Sequence, residues 1–290
     1  MNDKDLKVTD YCACFIDLLG QRDALKGQNL MPSFMDAGSE EAFMSEVRKS
    51  VGAIASLQKN AEFFMAETSS QTSFRDNFGP DDQKLYDEMK SPRAKQQRWS
   101  DGLVFYHPVD SEHSKCPMNA VYDIFMLAGT LCLLGLADRN PIRGAIETSW
   151  GVELHDNELY GAVVANSYIL ESTVAQYPRI VVGQYTLDYL NRQLQETTNG
   201  VDKYKLYNHN LAVKCINMTA IDRDGYPFID YLGEEFKASI LRDAGKYFYE
   251  QAFEYICLQY DLHKSNKNSK LAIRYSWLKE YFLSNHSLYI

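Results

Sequence analysis

The chain has 290 residues, is 45% apolar and carries a formal net charge of −9, which allows one large or two small domains with a substantial core. That acidity argues against a general nucleic-acid binder, which needs a basic footprint to displace counterions from phosphates, so a polyanionic ligand must be met locally by metal or by clustered Lys and Arg. The polar start MNDKDLKVTD lacks the basic and apolar regions of a signal peptide, and the longest apolar run, Ile124 to Ala137, is too short to span a bilayer, so a cytoplasmic location is expected.

The first apolar run, Tyr11 to Leu19, predicts a buried strand closed by a tight turn at Gly20. It holds Cys12 and Cys14, which share one face of such a strand and have no second Cys/His pair at zinc-ligand spacing. With Cys116, Cys132, Cys215 and Cys257 they read as reduced, mostly buried thiols. Phe43, Val47, Val51, Ile54, Leu57 and Ala61 recur at intervals of three and four and predict an amphipathic helix over 40–65. Residues 66–97 are polar and broken by Gly79-Pro80 and Ser91-Pro92, a long loop or small helical excursion. RWSDGLVFYH, 98–107, predicts a hairpin with Asp101 at its tip. A helix over 118–137, a strand over 141–148, a second buried helix over 160–176 and a short Val/Ile strand over 179–183 follow. Beyond residue 200 the pattern changes to a hairpin around Asp222-Arg223-Asp224-Gly225 and helices over 233–263 and 270–285 rich in aromatics. The division expected is 1–200 as one domain and 201–290 as a hairpin plus helical extension packed on it or on a second subunit.

This order of elements suits an α/β (α+β) sandwich, a mixed sheet with helices on its faces. It places Asp17 and Asp101 in neighbouring positions. An aspartate inside CACFIDLLG is costly to bury unless a cation pairs with it, and two brought together repel, a problem that a pair of Mg²⁺ or Mn²⁺ ions resolves. Taken singly, Asp17 could cap the turn that follows and Asp101 could serve the Ser-Asp-Gly turn; the pair favours metal. Arg22, Arg143 and Arg179 could contact phosphate or could be structural charges, and Glu147 and Glu158 could touch a ligand or be solvated. His107, His155 and the other histidines lie in polar surroundings without triad partners and receive no role.

FIDLLG at 15–20 resembles the first-strand motif of the class III nucleotidyl cyclases, and RWSDGLVFY at 98–106 resembles their metal-binding hairpin. PIRGAIETSWG at 141–151 is similar to the next strand, and YGAVVANSYILES at 160–172 to the helix that contributes to the active site across the dimer. With YPRIVV and DGYPFIDYL, the set looks most like the Pycsar pyrimidine cyclases of bacterial antiphage defence. The resemblance implies a head-to-tail homodimer with shared sites that converts UTP, or CTP, into the 3′,5′-cyclic monophosphate and pyrophosphate with two Mn²⁺ or Mg²⁺ ions, and neither nucleic acid nor membrane as partner. It implies Asp17, Asp101 and the Leu18 carbonyl as metal ligands, the amides of Leu19, Gly20 and Gln21 as phosphate donors, and Arg143 and Asn166 as substrate contacts. The Asn and Arg that grip ribose and transition state in adenylate cyclases align with Ala165 and Ile169; Asn166 is one residue away, about 100° round a helix. The family's purine-reading Lys and Asp correspond to Gln97 and Glu158, which disfavours adenine. A non-catalytic nucleotide-binding module and a two-metal nuclease or phosphatase remain as alternatives.

Overall fold

The computed structural model describes residues 7–20, 33–69, 79–90, 93–110, 114–155, 157–195, 202–238 and 245–290. Its centre is strand β1, Val8–Leu18. Cys12, Cys14, Ile16 and Leu18 point into the main core, while Tyr11, Ala13 and Phe15 point into a smaller one on the opposite face. A strand covered on both faces reads in sequence as an unbroken apolar run, as this one does.

β1 lies antiparallel between β3, Gly102–Pro108, and β4, Ile142–His155. β2, Lys95–Trp99, pairs with β3 through the two-residue turn Ser100-Asp101. β6, Ile180–Val182, joins β4 in parallel, and β8, Pro227–Ile229, and β7, Thr219–Ile221, complete the sheet in the order β2-β3-β1-β4-β6-β8-β7. β5, Glu158–Tyr160, pairs with the far end of β4. The fold is thus mixed α and β, with an open, mostly antiparallel sheet of eight strands among the described residues.

The helices are α1, Ala37–Ser69, α2, Pro80–Met89, α3, Met118–Ala137, α4, Ala162–Thr173, α5, Gln184–Gln195, and α6, Lys203–Asn217, followed by α7, Glu234–Phe236, α8, Gly245–Ser265, α9, Ser269–Ser284, and α10, His286–Tyr289. The main core gathers Leu57, Ala61 and Met65 of α1, the length of α3, and Tyr249, Ile256, Tyr275 and Phe282 of the C-terminal helices. α4 covers the opposite face around Asp17, with Val163 and Val164 against Tyr11, Ala13 and Phe15.

α3 spans Met118–Ala137, the bounds expected of it. The apolar run from Ile124 is too short by itself to span a bilayer, but the helix continues through Asp123 and Asn119 and as a whole is long and apolar enough to cross one; it is instead mostly buried in the protein. The hairpin over 219–229 adds to the sheet of the preceding residues, since Val181 of β6 pairs with Phe228 and one sheet spans both sides of residue 200. The polar stretch 66–97 contains the short helix α2, one of the two forms expected of it, and also most of β2, which was not expected there. All six cysteines are free thiols, five of them buried, and burial pushes the Cys12 thiol up to about 12.

Candidate active site

Register places four residues in one row across the sheet: Trp99 opposite Gly102, Gly102 opposite Asp17, and Asp17 opposite Arg143. Directly opposed residues share a face, here the face roofed by α4. Asp101 immediately precedes Gly102 at the tip of the β2–β3 hairpin, where Ser100 takes a positive φ of 43°. Asp101, in the turn that leads into β3, therefore lies at the same end of the sheet as Asp17 on the adjoining β1. Phe15, one step along the same face, meets Trp99 and Tyr168 of α4 edge-on at 5.7 and 5.3 Å. The rings wall the row on the hairpin side.

Asp17 is paired in a way that its sequence context does not reveal. Arg143 Nη2 lies 3.2 Å from Asp17 Oδ2, and Arg143 Nε lies 2.6 Å from Glu171 Oε1 on α4. Glu171 is 2% exposed at its side chain, and Asp17 and Arg143 are 16% and 17% exposed. A buried carboxylate needs a cation to offset its desolvation, and one guanidinium here serves two. Glu171 was the residue missed: an acidic side chain on a helix as apolar as AVVANSYILEST signals a buried partner.

The turn after β1 differs from its expected role. The Leu19 N–H donates to the Pro141 carbonyl at 2.9 Å, which removes it from the set of phosphate donors. Gly20 adopts φ of 92°, the conformation for which glycine is suited. Gln21 and Arg22 lie outside the described residues. The Leu18 side chain packs in the main core, so only its backbone is available to a ligand. On α4, Ala165 and Ile169 are exposed, with Tyr168 beside them, and Asn166 is half-buried.

The remaining candidates divide into neighbours of the row and structural charges. Gln97 Oε1 accepts from the Leu159 N–H at 3.1 Å, which brings the Gln97 and Glu158 positions side by side, with Glu158 exposed. Arg179, 2% exposed, is held by Asp222 and Asp224 of the β7–β8 hairpin and stacks 4.6 Å from the Tyr177 ring, so it is not available to phosphate. Glu147, 3% exposed, accepts from the amides of Thr148 and Thr186, both at 2.9 Å, and from the Thr186 hydroxyl at 3.1 Å. It caps the first turn of α5 from a neighbouring strand; burial raises its carboxyl above the usual range against those donors. His107 is not in a polar loop: it is buried in β3, 4.0 Å from Asp123, and burial lowers its pKa to about 4.

The oxygen groups in and next to the row, the carboxylates of Asp17 and Asp101 and the Leu18 carbonyl, are of the type that suits a hard divalent ion. Among the described residues no three His, Cys, Asp or Glu side chains form a ready-made metal cage. A Mg²⁺-type ion does not require one, because it keeps waters and substrate phosphates in its shell alongside one or two carboxylates. No family model and no curated protein matches the chain.

Proposed function

We propose that the protein is a class III-like nucleotidyl cyclase of the Pycsar type, acting in the cytoplasm as a homodimer with shared sites and making cyclic UMP from UTP, with CTP as the alternative substrate. The observation that carries this reading is the row Trp99, Gly102, Asp17, Arg143 with Asp101 in the turn at its edge, one carboxylate and a cation on adjoining strands and a second carboxylate beside them. The element order supports it: strand, helix, hairpin, helix, strand, helix, strand is the order of the motifs on which the resemblance rests.

In this reading Asp17, Asp101 and the Leu18 carbonyl hold two divalent ions. When bound, the ions lower the pKa of the ribose 3′-hydroxyl and neutralise the triphosphate. Asp17 must then exchange its Arg143 partner. Arg143 stays anchored through Nε to Glu171 and turns its terminal nitrogens to phosphate, a change of partner that needs no change of backbone. Gly20 offers its amide beyond the end of β1, and Asn166 approaches the ribose from α4. In cyclisation the 3′-oxygen bonds to the α-phosphorus as the bond from that phosphorus to the bridging oxygen breaks, the hydroxyl proton passes to solvent water and pyrophosphate leaves, so the group that matters most is whatever stabilises charge on the departing oxygens; in this reading that group is Arg143.

Incubating the purified protein with each of the four NTPs and Mn²⁺ or Mg²⁺, followed by chromatography, tests the proposal. A cyclic pyrimidine monophosphate is expected. Folded protein that yields no cyclic product from any NTP overturns it. A second reading, a nucleotide-binding module without turnover, is favoured by one observation: Ala165 and Ile169, exposed on α4, bring no polar group where adenylate cyclases have two. It predicts thermal stabilisation by nucleotide in the absence of product.

A further inference from the structure

Past the end of α4, the segment Gln176 to Arg179 runs beside α9. Between them lies a groove of about 320 Å³ that also takes in Asp224 of the β7–β8 hairpin. It adjoins a second cavity of about 400 Å³, and Tyr177, Arg179 and Trp277 line both. Lys270, Arg274 and Trp277 stand four and three residues apart on α9, so they share one side of the helix.

The charges in this groove are unevenly matched. Arg179 is bound by Asp222 and Asp224, which accounts for the groove's acidic residue. Arg274 donates to a neutral acceptor, Gln176 Oε1, at 2.7 Å. Burial and the like charge of Arg143 both act to lower its pKa. Lys270 is exposed in the first turn of α9, where the helix dipole favours an anion. In a chain of net charge −9, two cations line a groove whose one acidic residue among the described lining is taken up by Arg179, an arrangement that suits an anion. Trp277 supplies a half-buried ring that Tyr177 meets edge-on, at 73° and 6.0 Å, instead of stacking on it.

We propose that this groove binds a nucleoside monophosphate, with phosphate on Lys270 and Arg274 and the base against Trp277. A phosphate monoester carries a charge of about −1.5 to −2 at neutral pH, which two cations match. The fork of Arg274 suits phosphate oxygens, and a groove of this size is at the small-ligand end of the usual range. The site is distinct from the Asp17 row and does not depend on the cyclase reading.

The test uses UMP as probe, with inorganic phosphate as control, in calorimetric titration and Trp fluorescence quenching. UMP is expected to bind one per chain and more tightly than phosphate. Lys270→Gln and Arg274→Gln should each weaken it by about tenfold, as loss of a charge-assisted contact does. Trp277→Phe should remove the quenching, and Asp17→Asn should leave binding unchanged. Lys270 is exposed, so its variant reports on binding even if Arg274→Gln unfolds. The proposal fails if UMP shows no saturable binding up to millimolar concentration, if phosphate alone binds equally well, or if Lys270→Gln is neutral. It also fails if Asp17→Asn abolishes binding, which would place UMP in the row; absence of cyclic product from wild type, by contrast, bears only on the proposed catalysis.

Discussion

Arg143 is the residue on which the charge balance of the row turns, since both Asp17 and Glu171 depend on it. Arg143→Met should destabilise the protein by about 3–5 kcal/mol in urea denaturation, the scale of a buried ion pair that has lost one partner. Asp17→Asn should cost far less, because Arg143 still has Glu171. Under the cyclase reading Asp17→Asn and Asp101→Asn should each abolish cyclic product, with circular dichroism unchanged. His107 gives a pH signature that is read together with that of Asp123, 4.0 Å away, whose carboxyl burial raises to about 7. Its folded pKa of about 4 lies below the ordinary 6.5, so the unfolded chain takes up the proton first as pH falls. Its contribution to stability is therefore intact above about pH 6.5 and is lost progressively down to about pH 4. Asp123 acts in the opposite direction over part of that range, because its raised carboxyl takes up a proton in the folded chain first. His107→Gln should flatten that part of the stability–pH curve; an unaltered slope would show that the loss arises elsewhere.

At the scale of elements, the strands around Asp17 are packed too closely for added bulk. A Cβ on Gly144 would stand 2.5 Å from the Phe15 carbonyl oxygen of β1 and 3.0 Å from Ile180 Cδ1 of β6. Gly144→Ala should thus force β1 and β4 apart, lowering stability by roughly 1–3 kcal/mol and, if the cyclase reading is right, lowering kcat as Asp17 shifts with its strand. Thermal unfolding beside product formation checks both. The elements that were legible in the sequence are those with long apolar patterns: β1 is apolar on both faces, and the turn chemistry of Ser-Asp-Gly placed Asp101 at the hairpin tip. α5 and α6 were not anticipated. α5 buries only Thr186, Tyr189 and Leu190, two of them bearing hydroxyls, so its inward stripe is thin and partly polar. The site was half legible for a similar reason. Local pattern exposed the two aspartates, whereas the pairing of Arg143 with Glu171 joins positions 28 apart in the chain and is set by how α4 lies on the sheet.

At the scale of the whole molecule, one sheet and one main core join the first strand to the last helix. Tyr249 stacks on Tyr289 at 4.9 Å and its hydroxyl donates to the Phe282 carbonyl at 2.7 Å, tying three C-terminal helices together. Removing the end of the chain from α9 onward would strip these rings from the core, and such a truncation should be recovered mainly as insoluble protein. Within the chain the charge of Asp17 is met by Arg143. Treatment with a chelator should leave Tm unchanged to within a degree or two in the absence of nucleotide; a large fall would mean that an ion is part of the folded state. The salt bridge between Asp17 and Arg143 then has a practical meaning. Under the cyclase reading Arg143 would be a resident stand-in for an ion, holding the shape of the row before the ingredients of the reaction arrive.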